Sequence, residues 1–208
     1  MQFLAMLTML IDHIGAVWYP SDPLWRIIGR LAMPLYIYAM VIGYKRTRNM
    51  NRYFLRVGLL ALLSQLPYQW AFHITQINVI ATLFVCLLAL RLLDRYKDSP
   101  ALQFLIAGAA FIPLEALPFD YGGYALLLML IYRYAPSSLA LLMHAGLELL
   151  SIFTGGVSLQ PFSLLGTGLI FYMPQLLIRM DRIRMPRWIW RSFYPAHLIA
   201  IAALQQII

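Results

Sequence analysis

The chain has 208 residues, of which 62% are hydrophobic and 12% charged, and its mean hydropathy is +0.74. A typical soluble domain carries about 25% charged residues, so this composition excludes an ordinary soluble enzyme and favours an integral membrane protein. The net charge of +8 comes from basic residues that lie mostly between apolar segments and form no nucleic-acid-binding motif, so we expect no nucleic acid among its partners.

Proline, glycine and charged residues divide the chain into nine apolar segments. Most are long enough for a membrane-spanning helix of about 17–20 residues, and none alternates as a membrane β-strand does. The sequence therefore predicts an all-α polytopic membrane protein, a single bundle of about nine transmembrane helices in one domain over residues 1–208. The predicted spans are 3–19, 24–43, 53–72, 77–93, 101–117, 121–134, 137–153, 159–178 and 193–208.

The basic residues predict the orientation of this bundle, because cytoplasmic loops are enriched in Lys and Arg. With the N-terminus in the cytoplasm, every Lys and Arg except Arg26 and Arg30 falls on the cytoplasmic side. The first segment has no basic stretch before it and no small-residue cleavage site, so we interpret it as a retained span and not as a signal peptide.

Asp12 and His13 interrupt the first apolar segment, where an ionisable side chain costs several kcal/mol and implies a function. Successive helical residues point about 100° apart, so we expect Asp12 to pair with Arg30 or Arg26 and His13 to face a cavity. Pro34 clashes with the carbonyl of Arg30 in a regular helix, which predicts a bend there. The alternative, in which these residues only hold helices together, stays open.

Other polar residues lie at the same predicted depth and indicate a vestibule that opens to the outer side of the membrane. The residues expected to line it are Gln65, Tyr68, Asn78, Asp120 and Tyr121, with Thr82 one turn from Asn78.

His144 and Glu148 are four residues apart and share a helix face, as metal ligands or an acid–base pair would. No motif supplies a third ligand, so we expect no metal. A structural or site-lining role is favoured for the pair, with Glu148 as the residue expected to line the site, and the choice between the two roles stays open.

A basic loop follows the second predicted span and contains Lys45, Arg46 and Arg48 after Tyr44. Such loops ordinarily fix topology or contact anionic lipid headgroups. Arginine also presents a planar fork of donors that matches phosphate oxygens, so the loop could instead bind the phosphates of coenzyme A. His197, at the predicted inner start of the last span, would line the same cytoplasmic mouth or serve a structural role.

Five segments, 7–15, 26–34, 43–49, 120–122 and 194–197, together resemble the TraX family of membrane proteins, which is associated with N-terminal acetylation of F-type conjugative pilin. They follow the family order from end to end, and the set is specific although each segment alone is weak. Met33 departs conservatively from the Phe expected before the proline.

The resemblance implies a multi-pass protein of the bacterial inner (cytoplasmic) membrane, similar to transmembrane acyltransferases such as the lysosomal glucosaminide N-acetyltransferase and bacterial polysaccharide O-acetyltransferases. These use cytoplasmic acetyl-CoA to modify acceptors across the membrane, with an essential histidine in an early helix. His13 then takes the place of the general base, Asp12 organises the site, and Arg30 balances charge or stabilises the oxyanion. The phosphates of acetyl-CoA would be held by Lys45, Arg46, Arg48 and Arg187.

The acceptor class stays open among an extracytoplasmic protein N-terminus, a glycan and a lipid, and so do a homodimer and an acetyl-histidine intermediate, although direct transfer is our default. Two other functions are compatible with the same polar residues. One is a small proton-coupled transporter and the other is a non-catalytic membrane assembly factor.

Overall fold

A computed structural model describes residues 1–155, 159–180 and 186–207, with only the backbone described for Met180 and Arg187. Helices account for most of these residues, and no strand longer than an isolated bridge occurs among them, which confirms the all-α prediction. The helices are α1 Gln2–Trp18, α2 Pro23–Gly29, α3 Ala32–Arg46, α4 Met50–Phe72, α5 Val79–Arg95, α6 Pro100–Ala116, α7 Gly122–Tyr134, α8 Ala140–Gly155, α9 Ser163–Tyr172, α10 Pro174–Met180 and α11 Arg187–Leu204, with a 3₁₀ turn at Gln160–Phe162.

Two of the nine predicted segments form a pair of helices instead of one. The second segment is divided into α2 and α3 at Arg30 and Leu31, and the eighth into α9 and α10 at Met173. Pro34 lies in the first turn of α3, where a missing backbone N–H leaves no hydrogen bond unmade. The helix therefore stops and restarts just before this proline, where the sequence predicts only a bend.

The last helix begins at Arg187, six residues before the predicted start of the ninth span at residue 193. Arg187 and Arg191 suggest a loop by charge, although arginine is a good helix former. The earlier start moves His197 from the predicted beginning of the helix to its middle.

Side-chain contacts show that helix ends meet at two opposite faces of the bundle. At one face, Asp94 near the end of α5 accepts hydrogen bonds from Arg133 at 2.9 Å and Tyr134 at 2.7 Å. This face carries the loops 47–49, 96–99 and 135–139, and we call it the basic end. At the face that we call the opposite end, loops 73–78 and 117–121 pair through Ile77 and Phe119.

The core of the bundle surrounds α3, which packs against α1, α7 and α9. Leu35 and Ile37 of this helix are fully buried. The outward faces of α4, α6 and α8, by contrast, expose large apolar side chains such as Leu62, Phe104 and Phe153. Apolar faces of this kind suit a lipid environment better than water.

By length and composition, Pro23–Arg46 is the only stretch among the described residues that qualifies as a membrane-spanning helix. The helices Gln2–Trp18, Pro100–Ala116 and Ala140–Gly155 are apolar but shorter. The multi-pass topology therefore stays a prediction.

The contact between α1 and α2 depends on Gly15, because a Cβ atom at this position would lie 2.2 Å from Cβ of Trp25. We expect Gly15→Ala to destabilise the protein by about 1–3 kcal/mol, as overpacking of a well-packed contact does. Gly108→Ala is the matched control in α6, where an added Cβ meets nothing within 4 Å. It should raise stability slightly, because alanine is the better helix former. Thermal unfolding in detergent measures both, and equal melting temperatures for the two variants would contradict the prediction.

Candidate functional site

A cavity of about 310 Å³ lies between α1, α2, α3, α4 and α5. It extends from the loops at the opposite end to Met9, Tyr36 and Leu83 in the middle of the bundle. This volume is at the small end of the range for small-molecule sites. The ionisable and phenolic side chains in its wall are Asp12, His13, Arg26, Arg30, Tyr36, Tyr68, Asp120 and Tyr121.

His13 contacts a second histidine across the bundle. Its Nδ1 lies 2.7 Å from Nε2 of His197, and the two rings stack with centroids 4.9 Å apart. Phe72 packs edge-on against His13, with ring centroids 5.0 Å apart. The expected position of His13 at a cavity is thus realised, and its neighbours hold the ring in one orientation.

The hydrogen bonds around the two histidines fix where their protons lie. Nδ1 of His197 is 2.6 Å from the carbonyl oxygen of Phe193, which can only accept, so Nδ1 of His197 carries a proton. In a neutral ring its Nε2 is then an acceptor, and His13 must donate from Nδ1. Nε2 of His13 makes no hydrogen bond within the described residues, so its lone pair is unused, as a general base requires.

Asp12 pairs with Arg26, one of its two predicted partners, through an Oδ2 to Nη1 distance of 2.8 Å. Arg26 also donates to the backbone oxygen of Asp12 at 3.3 Å. A Cβ atom at Gly29 would lie 2.0 Å from Oδ1 of Asp12, so only glycine allows α2 to approach this closely. The short helix α2 thereby covers the carboxylate of Asp12.

Arg30 does not pair directly with Asp12. Its Nη1 donates to the hydroxyl of Tyr121 at 3.1 Å and to Oε1 of Gln160 at 3.2 Å. Its Nε is buried and has no hydrogen-bond partner in the described part of the chain. Arg30 therefore joins the cavity to the 3₁₀ turn, and its Nε stays unused as a donor within the described residues.

Asp120 lies in the loop before α7, where its backbone N–H donates to Ile77 at 2.9 Å and its carbonyl accepts from Thr82 at 2.8 Å. Burial raises the pKa of its carboxyl to about 6, although a hydrogen bond with Tyr68 and the charge of Arg30 act in the opposite direction. Tyr68, Asp120 and Tyr121 are the predicted lining residues that the structure places in the cavity wall.

Gln65 and Asn78 lie behind the cavity wall, although the sequence suggested that they line it. Asn78 caps α5 and donates to Oε1 of Gln65 at 2.7 Å, while Gln65 donates to the backbone oxygen of Gln76 at 2.8 Å. Their polarity is used to fix the loop that faces Asp120. Glu148 is also outside the wall, because it is buried among α7, α8 and α9.

The proposed phosphate-binding residues divide into two groups. Lys45, Arg46 and Arg48 are exposed at the basic end, as a docking loop would require. Tyr44 is buried near Asp94, so it is not presented on the surface of the loop. Arg187 begins α11, but its side chain lies outside the described residues.

The structure corrects the placement of His197, which is far from the basic loop and against His13. The error follows from the predicted helix start, which placed His197 at the cytoplasmic mouth. Within the sequence, 184 residues separate the two histidines, so no local pattern could pair them.

The model of the family described as TraX protein matches residues 1–205 of the chain. The chain belongs to the TraX protein family. A protein from Dichelobacter nodosus described as "Probable fimbrial assembly protein FimC, serogroup H1" is 28% identical over 151 residues. The match covers 64% of this chain and 60% of that protein, so the chain spans less than two thirds of the length of this relative. No solved structure matches the chain.

The raised pKa of Asp120 predicts a pH dependence of stability. Because the folded state binds this proton more tightly than the unfolded chain, the stabilising effect is present below about pH 4 and is lost as the pH rises through about 6. We expect Asp120→Asn to raise the melting temperature relative to wild type more at pH 8 than at pH 4. Asp98→Asn in the exposed loop 96–99 is the control, and a constant difference between Asp120→Asn and wild type would refute the assignment.

Proposed function

We propose that this TraX-family protein is a membrane-embedded acetyltransferase that moves an acetyl group from cytoplasmic acetyl-CoA to an amine or hydroxyl on the far side of the membrane. The contact of His13, a residue of the cavity wall, with His197 behind it is the observation that carries the proposal. The fimbrial name of the relative supports a pilin N-terminus as the acceptor. A glycan or a lipid headgroup would use the same chemistry.

In the proposed reaction, the acceptor nitrogen or oxygen attacks the thioester carbonyl while Nε2 of His13 takes its proton. The C–S bond then breaks, and the proton passes from His13 to the departing sulfur of coenzyme A. While His13 is protonated, its Nδ1–H donates to His197, which stabilises the positive charge. General base catalysis of this kind contributes about 10²–10⁴ in rate.

We assign to Arg30 the task of stabilising the negative charge that develops on the carbonyl oxygen. It lies in the same cavity wall as His13, and its Nε is a buried donor with no partner among the described residues. A fixed donor aimed at developing charge is worth most where water is excluded. Asp12 is already paired with Arg26, so we assign it the structural task of holding α2 over the cavity.

The donor would dock at the basic end, where exposed Lys45, Arg46 and Arg48 can bind its phosphates. His13 lies eleven residues after Gln2, the first residue of α1, which corresponds to about 16 Å along the helix at 1.5 Å per residue. An extended pantetheine arm is needed to bridge that distance. The acceptor would enter from the opposite end, where Asp120 and Gln76 line the cavity.

His13→Ala should lower the kcat of acetyl transfer by about 10²–10⁴, because the base that accepts the acceptor's proton is lost. The affinity for acetyl-CoA, measured by calorimetry on purified protein, should stay the same because its phosphates bind elsewhere.

The matched control for this variant is His73→Asn. His73 is exposed at the end of α4 with φ of 54°, a conformation that asparagine tolerates. This control should retain wild-type turnover. Full activity in His13→Ala, or a wild-type protein that neither binds nor consumes acetyl-CoA, would end the proposal.

Arg46→Ala together with Arg48→Ala should raise the KM for acetyl-CoA at least about tenfold with kcat unchanged, because charge-assisted hydrogen bonds to phosphate are lost. Acetyl-CoA that lacks its ribose phosphate should bind wild type more weakly than intact acetyl-CoA does. The double substitution should also reduce its affinity by a smaller factor than it reduces the affinity of intact acetyl-CoA.

Lys97→Ala removes a charge of the same sign from the loop 96–99 at the same end, and it serves as the control for a general loss of positive charge. If Lys97→Ala raises KM as much as the double variant, the effect is non-specific and the basic loop is not a phosphate site.

A further inference from the structure

One face of α11 runs from the basic end of the bundle to the histidine pair. Trp190, Tyr194 and His197 follow one another at intervals of four and three residues, so their side chains lie on the same side of the helix. From Trp190 to His197 the helix rises by about 10 Å at 1.5 Å per residue. We call these three side chains the aromatic face of α11.

The aromatic face contacts residues of the cavity wall along its length. The ring of Trp190 stacks on Tyr36, with centroids 5.2 Å apart and an angle of 13° between the planes. Tyr194 packs edge-on against His13, with ring centroids 6.2 Å apart. His197 contacts His13 through the nitrogens described above. The face therefore leads from the inner boundary of the cavity to the proposed base.

The stack of Tyr36 on Trp190 bridges two helices that belong to different parts of the bundle. α11 packs along α4 and against α1, whereas α3 packs against α1, α7 and α9. Rotation of side chains can open a ring stack without separating packed helices. Pro195 also cannot donate the helical hydrogen bond to the carbonyl of Arg191, which loosens α11 beside the stack. A ligand from the basic end therefore meets little resistance between α3 and α11.

The hydroxyl of Tyr194 is a buried polar group with no hydrogen-bond partner among the described residues. The residue is only 4% exposed, and its core neighbours include Met9, Leu198 and Ile201. A buried tyrosine hydroxyl ordinarily has a partner, because an unmade hydrogen bond in apolar surroundings is costly. Water is a poor candidate here, since a buried water needs several polar neighbours. The hydroxyl is available to a ligand that brings its own polar atom.

The proposed donor contains a segment with the matching chemistry. Pantetheine joins the phosphates of coenzyme A to the sulfur, and it is an uncharged arm of methylene groups and amides. Such an arm can pass between aromatic rings, but each amide needs a hydrogen-bond partner there. Tyr194 lies one turn before His197 on the aromatic face. With the thioester at His13, the nearest amide of the arm therefore falls at the level of Tyr194.

We propose that the pantetheine arm passes between α3 and α11, displaces the stack of Tyr36 on Trp190 and accepts a hydrogen bond from Tyr194 at the amide next to the thioester. This site rests on the proposed acetyltransferase function and gives the donor a second set of contacts besides the basic loop. The phosphates can then stay at the basic end while the thioester reaches His13.

Tyr194→Phe should raise the KM for acetyl-CoA about three- to tenfold with kcat unchanged, because one hydrogen bond to the bound donor is lost. The KM for S-acetyl-N-acetylcysteamine, which keeps the amide and thioester but has no phosphate, should rise by the same factor. Arg46→Ala together with Arg48→Ala should leave the KM for this small donor unchanged. A fall in kcat at constant KM would show that the hydroxyl acts on His13 instead, and would overturn the site.

Tyr132→Phe is the matched control for Tyr194→Phe. Tyr132 is also 4% exposed, but its hydroxyl hydrogen-bonds Thr167. Tyr132→Phe should lower the melting temperature in detergent and leave KM unchanged. Tyr194→Phe should keep or raise the melting temperature, because it removes a buried polar group that has no partner. Equal losses of melting temperature in the two variants would show that the hydroxyl of Tyr194 serves the fold, and would refute its assignment to the donor.

Displacement of the stack can be measured without turnover, by titrating purified protein with coenzyme A and recording tryptophan fluorescence. The fluorescence should change on binding, and Trp190→Phe should abolish the change. Trp188→Phe is the control two residues away, where the side chain is 70% exposed, and it should keep the change. A change that persists in Trp190→Phe, or no change in wild type that binds coenzyme A by calorimetry, would refute the passage.

These measurements separate the passage from the proposed function. If wild type transfers acetyl groups while Tyr194→Phe has wild-type kinetics and Trp190 gives no signal, the acetyltransferase proposal stands and the passage is refuted. If coenzyme A binds with the Trp190 signal but no acetyl group is transferred, the passage stands and the acetyltransferase proposal fails. A wild-type protein that binds no coenzyme A refutes both.

Discussion

The arrangement of the cavity depends on the ion pair that Asp12, buried away from water, forms with Arg26. A buried carboxylate is tolerated only where an opposite charge and hydrogen bonds replace the solvent it has lost. Arg26 provides the charge and one hydrogen bond to Oδ2, and the same nitrogen also donates to the backbone oxygen of Asp12, because α2 is short and lies directly against the end of α1. The ion pair therefore holds the lid-like helix α2 in place and leaves His13, the next residue, free to face the other way.

Arg26 and Arg30 are one turn apart, and the difference between their partners separates two tasks. Arg26 forms the ion pair with Asp12, whereas Arg30 donates hydrogen bonds to Tyr121 and Gln160 on the other side of the cavity. The helix α2 ends at Gly29, directly before Arg30, and the chain becomes helical again as α3 at Ala32, two residues before Pro34. One arginine thus fixes the wall of the cavity, and the second has neutral partners and an unused donor, as a group that meets substrate charge would need.

Much of the fold was predictable because hydrophobic segments of helical length are a local property of the sequence. Each of the nine predicted segments corresponds to one helix or to a pair of consecutive helices. The pairing of Asp12 with Arg26 was also within reach, since both residues belong to one hairpin. The contact of His13 with His197 was not, because it depends on how the first and last helices pack. For Gln65 and Asn78, the sequence correctly indicated a polar location. Only the loop geometry reveals that their polar groups cap a helix and bond a backbone carbonyl instead of facing the cavity.

The position of the cavity explains why the two proposed substrates need different surfaces. Its inner boundary is formed by Met9, Tyr36 and Leu83, and the ring of Tyr36 stacks on Trp190 with centroids 5.2 Å apart. Under the proposed function, a donor from the basic end must pass this layer to reach His13, while an acceptor from the opposite end enters between the loops 73–78 and 117–121 and the helix α2. Those loops can change their side chains without disturbing the ion pair or the two histidines, because their backbone is held by the Ile77 to Phe119 bridge and by Asn78. Under the proposed function, side chains of these loops other than Tyr121, which bonds Arg30, can therefore change with the acceptor while the ion pair and the two histidines stay the same.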